Sequence, residues 1–269
     1  MRLTLIIFIF IAAPYGMPAC DDLIETAVKN AISEENSLSN NDIIRGLKTA
    51  LEVGADSSVF RTSRLNGFYK DEAIKIMLPP EADIIYDNKD HALLRATGLD
   101  KKIEETILAL NRAAEDAASM AAPVFKQAIT EMSISDGRAI LQGKVPGITT
   151  NESGFDSTAA TSYLKNSTYT QLETDFIPVV SRSLDKKLIG NRSPNELWNY
   201  LSVSYNQVAD KSFGMIKPMQ NTDLGKYVTH EALEGLFLKV GNEEIKIRRN
   251  PGKWAETAVG NILKRVFGK

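Results

Sequence analysis

The chain has 269 residues, of which 43% are hydrophobic and 25% charged, and its formal net charge is −2. This length can bury a large core in one domain or two small ones. The near-neutral charge excludes the basic surface that phosphate contacts require, so we expect no nucleic-acid partner. A high apolar fraction with low net charge also excludes global disorder.

The first residues have the pattern of an export signal. Arg2 is followed by a short uncharged apolar run, LTLIIFIFIAA (3–13), and then by the helix-breaking PYGMPA. Such a run is too short to span a bilayer comfortably, and its position and flanks are typical of a signal peptide. The alternative is a buried N-terminal strand or helix. We predict a signal peptide over residues 1–19.

Cys20 is the only cysteine and lies where a processing site is expected. MPAC (17–20) resembles the lipobox of bacterial lipoproteins, in which cleavage precedes the cysteine and its thiol carries the lipid. Met17 and Pro18 depart from the residues preferred there. Alternatively, a general signal peptidase cuts nearby and Cys20 is an incidental thiol. A single cysteine allows no intramolecular disulfide, and the sequence therefore predicts lipidation of Cys20.

An acylated Cys20 would anchor the exported protein in a membrane, facing the periplasm. The sequence does not determine whether this is the inner or the outer membrane. Asp21 and Asp22 follow directly, so no polybasic patch adds affinity for anionic lipid. The first functional hypothesis is a non-enzymatic binding or scaffold module of the bacterial cell envelope. Its expected partners are the membrane, through the lipid anchor, and a protein of the envelope.

The rest of the chain shows mainly helical periodicity. Residues 20–41 are expected to be a tether with a short helix at 22–34, and residues 42–269 an all-helical domain. One extended segment is predicted near 73–80, where Ile74, Ile76 and Leu78 alternate with other residues before two prolines. The predicted helices of the domain are 42–62, 81–96, 100–121, 123–132, 133–142, 169–188, one beginning at Ser193–Pro194, 222–249 and 251–267. The predicted fold is all-α, a single domain of about eight or nine helices.

Several boundaries follow from local signals. Ser133 with Asp136 resembles a capping box at the start of helix 133–142. Pro178 is expected to kink helix 169–188. The segment 143–156 is rich in Gly, Pro, Ser and Asn and is predicted to be a loop. The acidic pairs Glu104–Glu105 and Glu243–Glu244 are expected on solvated helix surface, because adjacent residues on a helix do not converge.

Catalytic signatures are absent from the sequence, which has no G-x-S-x-G, no P-loop, no G-x-G-x-x-G and no EF-hand loop. His230–Glu231 is half of a zincin motif, but Glu234 stands where the second histidine is required. On a helix His230 and Glu234 share a face, and the other histidine, His91, lies in a separate predicted helix. We therefore expect no metal and no cofactor, and metal binding through His230 is a third hypothesis.

The predicted helix 100–121 combines an apolar seam with a polar trio. The seam has heptad spacing, and its members are Ile103, Ile107, Leu110, Ala114, Ala117 and Ala121. Leu108 and Ala109 lie on the far side, so the helix is apolar on much of its circumference, which indicates neighbours on several sides. Asn111 borders the seam, while Arg112 and Glu115 lie together on the other side. A structural pair is favoured. The second functional hypothesis is a small-ligand site or enzyme that uses this polar cluster.

Several segments resemble a bacterial domain-of-unknown-function family, DUF4197, in the expected order from Asp42 to Gly268. They are RGLKTALEVG (45–54), AIKIMLP (73–79), LNRAAEDAA and APVFKQAITEMSISDGRAIL within 110–141, ATSYLK (160–165), YVTHEALEGLF (227–237) and LKRVFG (263–268). The resemblance implies an all-helical, exported and often lipid-anchored protein with no assigned activity and no catalytic residues. His230 and the loop 143–156 depart from the family pattern.

Overall fold

The computed structural model describes residues 38–268 apart from 89, 92–93, 95–97, 148–153 and 221. The predicted signal peptide, Cys20 and the short helix at 22–34 lie outside the described residues. The chain divides into two units, Met1–Ser39 and Asn40–Lys269. The second unit is the helical domain.

Within the described residues the domain contains nine α-helices and no β-strand, which confirms the all-α prediction. A single isolated bridge joins Ile189 and Arg192. The helices are α1 (Asn40–Thr62), α2 (Asp83–Asn88), α3 (Leu99–Ala118), α4 (Ala121–Glu131), α5 (Gly137–Leu141), α6 (Ala159–Asp185), α7 (Pro194–Lys211), α8 (Leu224–Arg249) and α9 (Gly260–Phe267).

The core forms around α8 and α3. Helix α8 packs against α1 and α6, and a hydrogen bond of 3.1 Å from Ser58 Oγ to the Leu236 carbonyl shows how closely α1 approaches it. Helix α3 packs against α7, α6, α8, α1 and α4. All six residues of its predicted seam are buried, as are Ala109, Ala113 and Ala118. Small side chains around α3 let several helices come near its backbone.

Helix α9 packs against the start of α1 at a glycine. A Cβ added at Gly46 would lie 2.5 Å from Val266 Cγ2, well inside van der Waals contact. We expect Gly46→Ala to lower the free energy of unfolding by about 1–2 kcal/mol, because overpacking outweighs the roughly 1 kcal/mol gained in helix propensity. Urea denaturation followed by circular dichroism measures the change. In a Val266→Ala background the same substitution should cost less, because the methyl groups at 2.5 and 3.0 Å are gone while Val266 Cβ, at 2.8 Å, remains. An equal cost in the two backgrounds would show that Val266 is not the cause.

Two predicted helices are interrupted. Residues 81–96 do not form one helix, since the chain runs through a 3₁₀ turn at Pro80–Ala82 and α2, and forms a turn at Asp90 and a bend at His91. The Asn88 side-chain amide bonds the Ile84 carbonyl at 2.8 Å, the kind of local bond that competes with helix continuation.

The prediction of one helix over 251–267 is also wrong. The chain forms a 3₁₀ turn at Pro251–Trp254, and α9 begins only at Gly260. Thr257 Oγ1 donates to the Trp254 carbonyl at 2.6 Å, a local side-chain bond that competes with helical hydrogen bonds in this segment.

Two helix starts differ from the predictions. Helix α5 is capped by Asp136, whose Oδ1 accepts from the Ala139 amide at 2.8 Å, while Ser133 lies upstream and takes no part in the cap. Helix α6 begins at Ala159, ten residues before the predicted start, and contains Pro178. By contrast, α7 starts as predicted at Ser193–Pro194, with a complete capping box between Ser193 and Glu196.

Candidate functional site

The segment predicted to be extended near 73–80 forms a turn at 72–74 and has neither helix nor strand over 75–79, before the 3₁₀ turn that begins at Pro80. It contacts the polar residues of α3. Ile74, Ile76 and Leu78 are buried and Met77 is exposed, which is the alternation that the sequence predicts. No strand of the described chain pairs with this segment. A buried backbone without a neighbouring strand needs other hydrogen-bond partners.

Asn111 supplies those partners. Its Oδ1 accepts from the Ile76 amide at 2.9 Å, and its Nδ2 donates to the Ile76 carbonyl at 2.7 Å. The same Nδ2 also donates to the Ile107 carbonyl at 2.7 Å, one turn back on α3. The side-chain amide thus replaces the edge of a neighbouring strand and fixes the segment on α3.

Glu115 holds the turn that precedes the segment. Its Oε1 accepts from the amides of Phe68 and Tyr69 at 3.1 and 3.2 Å, and its Oε2 accepts from the Asn66 amide at 3.2 Å. The carboxylate is buried, and three converging backbone donors compensate the loss of water.

Arg112 completes this cluster. Its Nη1 lies 2.5 Å from Glu115 Oε2, and its Nη2 donates to Asn66 Oδ1 at 2.9 Å. Its guanidinium lies 5.8 Å from the centre of the Tyr69 ring. Asn66 has a left-handed φ of 68°, a conformation that few non-glycine residues adopt. The structure therefore brings Asn111, Arg112 and Glu115 together along one connection, residues 63–79, and their polar atoms bond the protein's own groups.

The sequence did not predict a second buried ionic cluster. The prediction that Glu243 and Glu244 are solvated is wrong, since they are 5% and 1% exposed. Glu244 accepts from the Ala160 amide at 3.0 Å and from the amide and hydroxyl of Thr161 at 2.8 and 2.7 Å. It therefore caps α6 from another helix, where the N-cap residue Thr158 makes no side-chain cap bond.

Arg248 pairs with Glu244 at 2.8 Å, one turn along α8. The same guanidinium donates to the Leu141 and Ile140 carbonyls at 2.9 and 3.0 Å. These carbonyls belong to the end of α5, where the helix leaves acceptors without intrahelical donors. One ion pair thus serves the end of α5 and the start of α6. The spacing of four residues between Glu244 and Arg248 is the one signal of this pairing in the sequence.

His230 takes part in a polar contact between α6 and α8. Its Nδ1 lies 2.8 Å from the Tyr169 hydroxyl and 3.9 Å from Glu173 Oε1. Burial, together with Glu234 and Glu173, raises the pKa of the Tyr169 phenol above its ordinary value. Among the described residues, no group of three or more His, Cys, Asp or Glu side chains is placed to hold a metal ion.

An open groove of about 500 Å³ lies between α4 and α6. Its charged lining residues are Glu131 and Asp175, which accept hydrogen bonds from Gln127 at 2.9 Å and Gln171 at 3.0 Å. The other lining residues are Val124, Ala128, Met132, Ser133, Ser167, Thr168 and Leu172. This mixed, acidic lining suits a polar neutral or cationic group better than an anion.

These features define an all-helical domain whose buried charges bond its own helix ends and turns. No helix of the described residues is long and apolar enough to cross a bilayer. Residues 37–268 match the family model described as "Protein of unknown function (DUF4197)", and the chain belongs to this family. The resemblance of the sequence segments is thereby confirmed. No curated protein and no solved structure matches the chain.

Proposed function

We propose that the protein is an exported lipoprotein of the bacterial cell envelope, whose helical domain is a binding or scaffold module without catalysis of its own. The observation that carries the non-enzymatic part is the use of the buried charges. The polar atoms of these side chains bond backbone groups, each other, and the side chains of Asn66 and Thr161. The four charged residues are Arg112, Glu115, Glu244 and Arg248. A catalytic group needs polar atoms directed at a substrate.

The anchor part of the proposal rests on Cys20, the only cysteine, placed directly after the signal-like segment. The binding part rests on the groove between α4 and α6, which is open and lined largely by polar side chains. The alternative, a ligand site built on Arg112 and Glu115, is less favoured because both side chains already hold the turn at Asn66.

Metabolic labelling with a clickable palmitate analogue tests the anchor. The wild-type chain, expressed in a bacterial host, should be labelled and recovered in the membrane fraction. Cys20→Ser should lose the label, because no other thiol is present to carry it. Met17→Leu, which introduces the preferred lipobox residue, is the matched control and should keep or increase the label. An unlabelled wild-type chain, or a label that persists in Cys20→Ser, would overturn the anchor.

Copurification tests the binding part of the proposal. Envelope proteins crosslinked to the wild-type chain should be lost when the groove is altered by Gln171→Lys, which places a cation beside Asp175. Gln207→Lys, on the exposed face of α7, is the matched control and should leave the crosslinks unchanged. Crosslinks that are equal in the two variants would contradict a role for the groove.

A further inference from the structure

The segment that follows α7 exposes apolar side chains to solvent. Phe213 is 97% exposed, more than any other large hydrophobic residue of the described chain, and Met215 is 70% exposed. Gly214 lies between them and is exposed as well. Single exposed apolar residues are common on protein surfaces. Here two of them form one small tip, residues 213–215, which we call the apolar tip.

Buried, hydrogen-bonded residues on both sides of the apolar tip fix its position. Ser212 and Ile216, on either side of it, are buried, and the Ile216 amide donates to Ser212 Oγ at 2.9 Å. Ser212 Oγ in turn donates to the Ala209 carbonyl at 2.6 Å. Further along, the Asn206 side chain accepts from the Met219 amide at 2.8 Å. Because both flanks are fixed, the tip is presented to solvent by the fold itself.

The backbone of the tip is one that phenylalanine rarely adopts. Phe213 follows Ser212, the C-cap of α7, and has a left-handed φ of 53°. Helices commonly end with a glycine at this position, because only glycine adopts it without steric cost. The next residue, Gly214, has a φ of 86°. Local folding alone would favour glycine at position 213. A bulky apolar side chain that strains the backbone and packs against nothing points to a use outside the fold.

The charges around the tip identify the kind of surface that it fits. Lys211 and Lys217 are both exposed and flank the tip, while Asp210 is the one acidic residue between positions 210 and 217. Apolar side chains framed by lysines match the boundary of a bilayer, where headgroup phosphates lie next to acyl chains.

We propose that the apolar tip inserts Phe213 and Met215 into the acyl region of a lipid bilayer, with Lys211 and Lys217 binding headgroup phosphates. The inference deepens the proposed function and rests on it, because the proposed lipid anchor is what brings a membrane close to the domain. The twenty residues from Cys20 to Ser39 can span at most about 70 Å, so a lipid on Cys20 keeps the domain within reach of the same bilayer. The tip then gives the anchored domain a second contact and a defined orientation.

A nitroxide label attached at Met215→Cys tests insertion in the full-length chain. The protein is reconstituted into vesicles of phosphatidylethanolamine and phosphatidylglycerol in both wild-type and Cys20→Ser backgrounds. The label should become accessible to oxygen and shielded from a water-soluble nickel chelate. Leu65→Cys is the matched control, being 74% exposed and next to Asn66, which Glu115 binds near the end of α3.

Leu65 lies near the end of α3 that points away from the tip. Helices α3 and α7 run antiparallel, since Lys102 bonds Ser204 and Thr106 bonds the Leu197 carbonyl. Glu115 is thus far along α3 in the direction away from the end of α7. A label at position 65 should remain in water, and equal nickel accessibility at the two positions would overturn the insertion.

Vesicle partitioning of the mature chain, residues 20–269 with Cys20→Ser, separates this inference from the anchor, because the apolar run 3–13 would itself bind the bilayer. Phe213→Gly should weaken partitioning roughly tenfold while leaving helicity and thermal stability intact, because glycine suits the left-handed position. Lys211→Gln with Lys217→Gln should weaken it most on vesicles that contain phosphatidylglycerol, whose headgroup has a net negative charge. If Phe213→Gly partitions like the parent chain, the insertion proposal fails, and this result does not depend on the acylation of Cys20. If Cys20 is never labelled but the tip still inserts, the insertion proposal stands and only the lipid anchor is refuted.

Discussion

Glu244→Ala is expected to lower the free energy of unfolding by about 3–5 kcal/mol, the usual cost of breaking a buried ion pair by removing one partner. The substitution removes the cap of α6 and leaves the amides of Ala160 and Thr161 without their acceptor. It also leaves Arg248 as a buried charge with only carbonyl partners. Because domains are stable by about 5–15 kcal/mol, the variant should be close to unfolding at physiological temperature.

Urea denaturation monitored by circular dichroism gives the magnitude, and the double variant identifies its cause. Glu244→Leu combined with Arg248→Leu removes both charges and should cost less than Glu244→Ala alone, since no buried charge remains unpaired. Glu104→Ala, at an exposed position of α3, is the control and should change stability by less than about 0.5 kcal/mol. A Glu244→Ala chain as stable as the Glu104→Ala chain would refute the capping role.

Glu115→Ala should cost about 3–4 kcal/mol for a related reason. Three backbone amides, those of Asn66, Phe68 and Tyr69, converge on its carboxylate and would lose their acceptor. Arg112 would lose its charged partner in a site where its side chain is 17% exposed. Breaking charged hydrogen bonds of this kind costs about 1.5–3 kcal/mol each, and partial relaxation of the turn recovers some of that.

Native-state hydrogen exchange measures the loss of stability and shows which amides lose protection. In Glu115→Ala the amides of Phe68 and Tyr69 should exchange much faster, while those in the middle of α8 should follow only the change in global stability. Glu105→Ala, on the exposed side of the same helix, serves as the control and should leave the turn protected. Unchanged protection of Phe68 in Glu115→Ala would show that the carboxylate does not hold the turn.

Features encoded by near neighbours were predictable from the sequence. The seam of α3 follows from heptad spacing, the start of α7 from Ser193–Pro194, and the extended segment from the alternation of its apolar residues. In each case the interacting residues lie within a few positions, so the pattern carries the structure.

Features that depend on distant residues were not predictable. Helix α6 begins at Ala159 because Glu244, more than eighty residues later, accepts the amides of its first turn. The extended segment has no strand partner because Asn111, thirty-five residues away, bonds both polar groups of Ile76. Nothing in the local sequence reports these contacts. For the same reason Asn111 and Glu115 could be singled out as polar residues, while their backbone partners could not be named.

The ion pair of Glu244 and Arg248 also determines where the chain can tolerate change. Its two members bond the last carbonyls of α5 and the first amides of α6, so α8 fixes both ends of the connection from Gln142 to Thr158. The described ends of the connection add bonds of their own, since the Asp156 amide donates to the Gly143 carbonyl at 2.9 Å, and the placement of the two helices rests on these bonds and on α8. The connection can be lengthened at small entropic cost, and it is the natural place to insert a reporter domain or to open new chain ends by circular permutation.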